Sequence, residues 1–209
     1  MKTTCQKLLL AGLMLMLAAC QSFRPAEQLT GSGSPALWHE HRDRISQFDA
    51  WDINGKLAVR SPAQSGSGVL FWLQRQDYFD IRVTGPLGQG ATRLTGRPGQ
   101  IRLTTPQHDL QAASAEALMQ EQLGWNLPVS NLLWWVRGLP APGSRHTLQL
   151  NDDSLAARLE QTGWQLEYSR YQSLPDGSRL PERILLNGPH LQLTLVVKQW
   201  QARTLGGQP

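Results

Sequence analysis

Apolar and polar residues alternate with a period of two over most of this chain from Trp51 onward, the spacing of strands with one buried face. Leu57 and Val59 alternate with Lys56, Ala58 and Arg60, and Phe79, Ile81 and Val83 alternate with Asp80, Arg82 and Thr84. Val69-Leu70-Phe71-Trp72-Leu73 reads as a continuous apolar strand. Leu94 and Ile101-Arg102-Leu103 extend the pattern across Arg97-Pro98-Gly99-Gln100, a strong turn signal. Connections this short predict an antiparallel meander. Strands return late in the chain as a hairpin over residues 155–161 and 164–171, turning at Thr162-Gly163, with Trp164, Leu166 and Tyr168 on one face. A turn at Pro175-Asp176-Gly177 leads to a last hairpin, residues 184–186 and 191–195 around Gly188-Pro189.

Between these stretches the period becomes helical. Ser114 is placed to cap a helix running to Leu123. A second helix fits residues 128–137, with Val129, Leu132, Leu133 and Val136 on one face and Trp135 flanking it, and Gly138 and Pro140 end it. An earlier helix over residues 35–50 starts from Ser34 and Pro35, with Leu37, His41, Ile45 and Phe48 aligned. The expectation is a mainly β protein of the α+β class, in which roughly ten antiparallel strands curl into a barrel-like sheet around a cavity and three helices cover one face or opening.

The first 34 residues have neither period. Lys2 and Lys7 precede an apolar run from Leu8 that closes on Leu17-Ala18-Ala19-Cys20. A basic start, a short apolar core and small residues before the cut make a secretory signal. The run is shorter than the roughly 20 apolar residues of a membrane-spanning helix. Leu-Ala-Ala-Cys resembles the lipobox of bacterial lipoproteins, which implies cleavage before Cys20 and acyl chains on it. The organisation read from the chain is therefore a signal peptide at 1–19, a lipidated amino terminus and flexible linker at 20–34, a folded domain at 35–202, and a polar tail at 203–209 expected to be disordered. Pro25 and Gly31-Ser32-Gly33-Ser34 give the linker its coil composition.

Composition narrows the function further. The formal charge of +4 includes two lysines of the leader, and the arginines are scattered, so there is no electrostatic footprint for nucleic acid. Only two cysteines occur, one of them in the leader, so a monomer holds together by its core without a disulfide. Eight tryptophans against three tyrosines suit a core or an apolar pocket. His39 and His41 point about 200° apart on a helix and cannot share an ion. Asp152-Asp153 reads as a solvated turn, and His108 and His146 fall in expected loops. No nucleophile elbow, phosphate loop or paired-cysteine motif is present in the sequence, so no catalytic residue, metal or cofactor is indicated. Binding or handling of an apolar ligand remains, with a structural envelope lipoprotein or a hydrolase with a dispersed site as alternatives. Gly85-Pro86-Leu87-Gly88-Gln89-Gly90 adds a lone leucine at the centre of a loop built from breakers.

These residues carry a resemblance. The strand followed by Gly85-Pro86-Leu87-Gly88, Arg97-Pro98-Gly99 before Ile101-Arg102-Leu103, the run from Pro128 through Trp135-Val136-Arg137-Gly138-Leu139-Pro140, and the Cys20 lipobox occur in the order found in the LolB family of outer-membrane lipoprotein receptors. The chain resembles that family over essentially its whole mature length. The resemblance implies an incomplete antiparallel β-barrel of roughly ten to eleven strands with a helical lid over an apolar cavity. It implies a non-enzymatic receptor, anchored in the outer membrane and facing the periplasm, that takes acylated lipoproteins from a soluble LolA-type carrier and inserts them among outer-membrane lipids. A monomer is expected. Leu87, flanked by Pro86 and Gly88, matches the family's membrane-insertion leucine, and Gln21 in place of aspartate agrees with the outer-membrane destination. Phe71, Ile81, Val83, Leu94, Leu103, Leu132 and Trp135 are the expected lining of the acyl-chain cavity.

Overall fold

Strand alternation becomes a 12-stranded open sheet in a computed structural model that describes residues 27–63, 65–85 and 90–203. Its first half comprises β1 (Glu27–Gly31), β2 (Ala50–Arg60), β3 (Ser65–Arg75), β4 (Tyr78–Thr84), β5 (Thr92–Arg97), β6 (Gln100–Thr104) and β7 (Asp109–Ala112). The second half comprises β8 (His146–Leu150), β9 (Ala156–Gln161), β10 (Trp164–Ser173), β11 (Arg179–Gly188) and β12 (Leu191–Arg203). Helix α1 (Pro35–Ser46) precedes β2, and α2 (Ala115–Leu123) and α3 (Val129–Trp135) lie between the halves. The spatial order is β1-β8-β9-β10-β11-β12-β2-β3-β4-β5-β6-β7, so β12 joins the two meanders and β1 and β7 are the edges.

All neighbours are antiparallel except β1 and β8, which run parallel from Glu27 opposite His146 to Gly31 opposite Leu150. These registers place the start of β1 at the same end of the sheet as the ends of β2, β4 and β11. We call this end the Glu27 rim. The β2–β3 and β11–β12 connections lie on it, as do the end of β4 and the start of β5.

One face of the sheet is the core. Trp51, Ile53, Leu70, Trp72, Leu166, Ile184 and Leu193 point into it at alternate positions and are buried. A bulge at Lys198 in β12 reverses the alternation, so that Val197 and Trp200, three residues apart, both reach the core. Trp51 then packs between Trp72 and Trp200, with ring centroids 5.0 and 5.5 Å away, near the rim opposite Glu27. The Trp200 Nε1–H donates to the carbonyl of Pro181 at 2.8 Å, which leaves its polar end satisfied.

Four sequence expectations change. The linker expected to remain coil through Ser34 gives way at Glu27: β1 is a strand, held where Leu29 packs on the core and Gly31, at φ +93°, passes so close to Leu150 that a Cβ would lie 2.2 Å from its carbonyl oxygen. The Glu27 carboxylate fastens this strand to α1 by accepting from Trp38 Nε1 at 3.1 Å. Burial alone would raise that carboxyl, yet Trp38, Arg42 and His146 together hold it below its ordinary value. Second, the first helix keeps Ile45 inward as expected but buries Trp38 in place of Leu37. Trp38 and Ile45 are fully buried, whereas Leu37 is 56% exposed, because an indole that finds Glu27 buries more apolar area than a leucine. Third, His146 opens β8 and is not in a loop. Fourth, Arg203 is the last residue of β12 and so extends the domain by one position, while residues 204–209 lie outside the described residues.

The last hairpin is as expected, and it shows why Gly188 is glycine. A Cβ there would come within 2.5 Å of Cε2 and Cζ2 of the Trp164 indole. Gly188→Ala should therefore destabilise the domain by about 1–3 kcal/mol, the usual cost of overpacking, in urea unfolding. An unchanged midpoint would show that Trp164 can retreat.

Candidate functional site

An apolar cavity of about 310 Å³ lies between the core face of the sheet and the two middle helices. Leu57 and Val59 of β2, Leu70 and Trp72 of β3, Ile81 and Val83 of β4, Leu94 of β5 and Leu103 of β6 form one wall. Ile184 and Leu186 of β11 with Leu193 and Leu195 of β12 form another. Met119 of α2, Val129, Leu132 and Trp135 of α3, Val136, and Trp125 and Leu127 from the connection between the helices close it. Thr92 supplies the one hydroxyl among these described lining residues. A volume in this range is typical of ligand pockets, and walls of this kind stay dry when empty.

Burial is graded along the cavity. Trp51, Ile53 and Phe79, toward the rim opposite Glu27, are buried, while Leu57, Val59, Ile81 and Val83 are only partly so. The partly buried residues are those nearest the ends of β2 and β4 on the Glu27 rim. The cavity therefore becomes more open toward the end of the sheet where β4 leads into residues 85–91.

The helical wall is held by a small number of satisfied polar groups. Gln161 is 3% exposed and uses both ends of its amide. Its Oε1 accepts from Trp135 Nε1 and from the Ala141 N–H, each at 2.8 Å. Its Nε2 donates to the Ala141 carbonyl at 2.7 Å and to Ser144 Oγ at 2.8 Å. The Tyr168 hydroxyl donates to the Trp135 carbonyl at 2.9 Å, and burial pushes that phenol well above its ordinary pKa, so it remains a donor at any physiological pH. Glu116 of α2 accepts from the Ser130 N–H of α3 at 2.9 Å, tying the two helices together. Ser114 caps α2 by accepting from Ala117 N–H at 3.1 Å, as its sequence predicts. Such a frame fixes a wall without putting charge into the cavity.

Of the residues proposed from sequence as lining, the structure brings Ile81, Val83, Leu94, Leu103, Leu132 and Trp135 together on one cavity. Phe71 is not among them. Leu70 and Trp72 face inward, so Phe71 must face outward, where the Arg82 guanidinium lies 5.5 Å from its ring centroid. Cys20, Pro86, Leu87 and Gly88 lie outside the described residues. Sequence reasoning missed the β2, β11 and β12 walls, although Leu57 with Val59 and Leu193 with Leu195 carry the same alternation. Met119 falls on the expected apolar face of α2 with Ala115 and Leu118, whereas Trp125 and Leu127 gave no comparable signal, because a connection has no period to read.

Known proteins agree with this geometry. The family model "Outer membrane lipoprotein LolB" matches residues 49–200. The outer-membrane lipoprotein LolB of Pseudomonas fluorescens is 57% identical over 192 residues, which cover 91% of this chain and 93% of that protein. The protein of the same name from Stutzerimonas stutzeri is 56% identical over 202 residues, covering 96% and 98%. Among solved structures, a LolA superfamily protein from Nitrosomonas europaea aligns over 81% of this chain and 94% of its own, with a TM-score of 0.54 at 11% identity. That last likeness concerns the fold alone. With a family match over most of the folded domain and relatives more than half identical over nearly the whole length, the chain belongs to the outer-membrane lipoprotein LolB family.

Proposed function

We propose that the cavity takes up the acyl chains of lipoproteins and that Leu87 leads their release into the bilayer. The family is one of lipid-anchored outer-membrane receptors in lipoprotein trafficking, not of enzymes, and this chain acts as such a receptor. The cavity supports the acyl assignment by its chemistry. Its described lining is apolar but for Thr92, it becomes less buried toward one rim, and no charged side chain stands among the described lining residues to select a polar ligand.

The energetics explain why such a site is needed. A buried methylene is worth about 0.8 kcal/mol, so one sixteen-carbon chain is worth on the order of 12 kcal/mol. Lipoproteins carrying such chains cross an aqueous compartment only inside another apolar site. A soluble LolA-type carrier offers the first, this cavity offers a better one, and the bilayer is better still. Transfer then runs downhill without nucleotide hydrolysis. The receptor works as a monomer tethered through acylated Cys20.

The observation that carries the reading is the set of partly buried apolar residues at the open end. They line the cavity and are only partly buried, so a substitution among them costs the fold less than one at a fully buried position. A chain beginning at Gln21 should bind a fluorescent acylated peptide at micromolar concentration. Val83→Asn should weaken that binding about tenfold, since its amide would face an acyl chain that offers no hydrogen bond. Absence of binding by the unsubstituted chain would overturn the acyl assignment.

A further inference from the structure

The outer face of the sheet beside residues 85–91 is cationic, and we infer that it lies on anionic phospholipid headgroups when the receptor delivers its cargo. This rests on the reading of residues 85–91 as the membrane-directed loop. It concerns a different surface, with its own ligand chemistry.

Cross-strand registers line up two adjacent rows there. Arg183, Val196, Lys56 and Val69 sit side by side on β11, β12, β2 and β3. Phe71, Arg82 and Arg93 sit side by side on β3, β4 and β5. Lys56 and Arg183 are exposed, and among the described residues neither has an acidic partner. Val69 is 61% exposed, the most exposed large apolar side chain of the described residues. Asp80, 4% exposed, receives both remaining arginines as forks, from Arg82 Nε at 3.0 Å and Nη2 at 2.5 Å, and from Arg93 Nε at 3.0 Å and Nη2 at 2.8 Å. Both guanidinium side chains nevertheless remain about half exposed, at 51% and 49%. Asp109, at the far end of the second row, is matched by Arg102. Four cations therefore answer to one buried carboxylate.

Three features select a lipid surface over an acidic protein. Cations are interleaved with the exposed Val69 and the partly buried Phe71, the mixture that suits a headgroup layer, where basic residues meet phosphates and apolar ones reach past them. Arg82 and Arg93 sit two residues before and one after the strand ends that bound residues 85–91, so the patch is at the base of that loop. Residues 21–26 alone separate Cys20 from Glu27, and their covalent reach holds the Glu27 rim within about 25 Å of a lipid on Cys20. The strand that follows the anchor, the strand ends that bound residues 85–91 and the patch are thus all toward one end of the domain, and the rim opposite, with its tryptophan cluster, points away from the membrane.

The test uses the full-length, lipid-anchored protein in nanodiscs of phosphatidylethanolamine, with or without phosphatidylglycerol. An environment-sensitive fluorophore on Val69→Cys reports contact. Its emission should shift to the blue only when the anionic lipid is present, and 1 M NaCl, where the screening length is about 3 Å, should reverse the shift. The double variant Lys56→Gln with Arg183→Gln should reduce the contacting population about 30-fold, at roughly fivefold per charge, with an unchanged unfolding midpoint. An equal shift in phosphatidylethanolamine alone, or an unchanged shift in the double variant, overturns the inference. A double variant that keeps the shift but accepts cargo poorly from a soluble carrier also overturns it, by showing a protein-docking face. Failure of the loop reading is separate: it shows as Leu87→Glu delivering cargo normally, a measurement independent of the Val69 signal.

Discussion

Replacing Leu87 with glutamate is expected to abolish delivery of lipoproteins into the membrane while leaving acyl-peptide binding within about twofold of the native protein, the range of surface substitutions away from a core. Leu87 sits between Pro86 and Gly88, in a connection whose other residues are small or breaker-rich, so its side chain is the apolar group the segment has to offer a bilayer. Burying one leucine there gains about 1.5–3 kcal/mol, enough to bias a transient encounter and too little to hold the protein down. Glutamate reverses that gain and adds a charge that the hydrocarbon excludes. The cavity is unaffected, because its described walls come from the strands, the two middle helices and the connection between those helices. The check is a two-stage assay in which acyl-peptide binding is measured by fluorescence and delivery by transfer to vesicles. Loss of both stages would show that Leu87 serves the cavity. Normal delivery would show that another element enters the membrane.

The contrast between Leu87 and Phe71 explains how much of this protein could be read from its sequence. Where alternation is clean, as in Phe79 to Thr84 or Trp164 to Ser169, the strand, its inward face and its neighbour follow directly, and Ile81 and Val83 fall on the cavity. In Val69-Leu70-Phe71-Trp72-Leu73 every residue is apolar, so the run announces a strand without a phase. The phase is set by pairing: Leu70 opposes Gly55 and Val83, and Trp72 opposes Ile53 and Ile81, all on the inner side. That information is distributed over three strands and is not local. The parallel pairing of β1 with β8 is less local still. It joins residues more than a hundred positions apart, and the Gly-Ser composition that follows β1 suggests coil. His146 illustrates the same point, since β8 is five residues long and gains its place from its two neighbours. The cavity followed from fold class, but its far walls on β11 and β12 required the spatial order, in which β12 sits beside β2.

Arg137 belongs to the run of residues that carried the family resemblance, and its substitution should give the largest loss of stability outside the tryptophan core. The side chain is 6% exposed and lies where the carboxyl ends of α1 and α3 converge. Its Nε donates to the Leu133 carbonyl at 3.0 Å, and its Nη1 donates to those of Ile45 at 3.3 Å and Phe48 at 3.1 Å. Its guanidinium carbon sits 4.8 Å from the Trp134 ring centroid. Burial brings the guanidinium from its ordinary 12.5 down to about 10, so it stays protonated at neutral pH at a cost of roughly 3 kcal/mol. Three hydrogen bonds to a charged donor, at about 1.5–3 kcal/mol each, outweigh that cost, and the negative ends of two helices favour the cation further. Arg137→Met keeps much of the apolar stem, removes the charge and orphans three carbonyls. It should lose about 2–4 kcal/mol, which lowers Tm by roughly 5–15 °C for a domain of this size. Arg137→Lys should fall between the two, because one ammonium retains the charge but cannot reproduce the fork. Acyl-peptide affinity should fall along with stability, since Val129, Leu132, Trp135 and Val136 line the cavity from the helix that Arg137 fixes. A methionine variant that melts with the native protein would mean that water serves these carbonyls equally well, and α3 would then owe its position to its other hydrogen bonds, those with Gln161, Tyr168, Glu116 and Thr162.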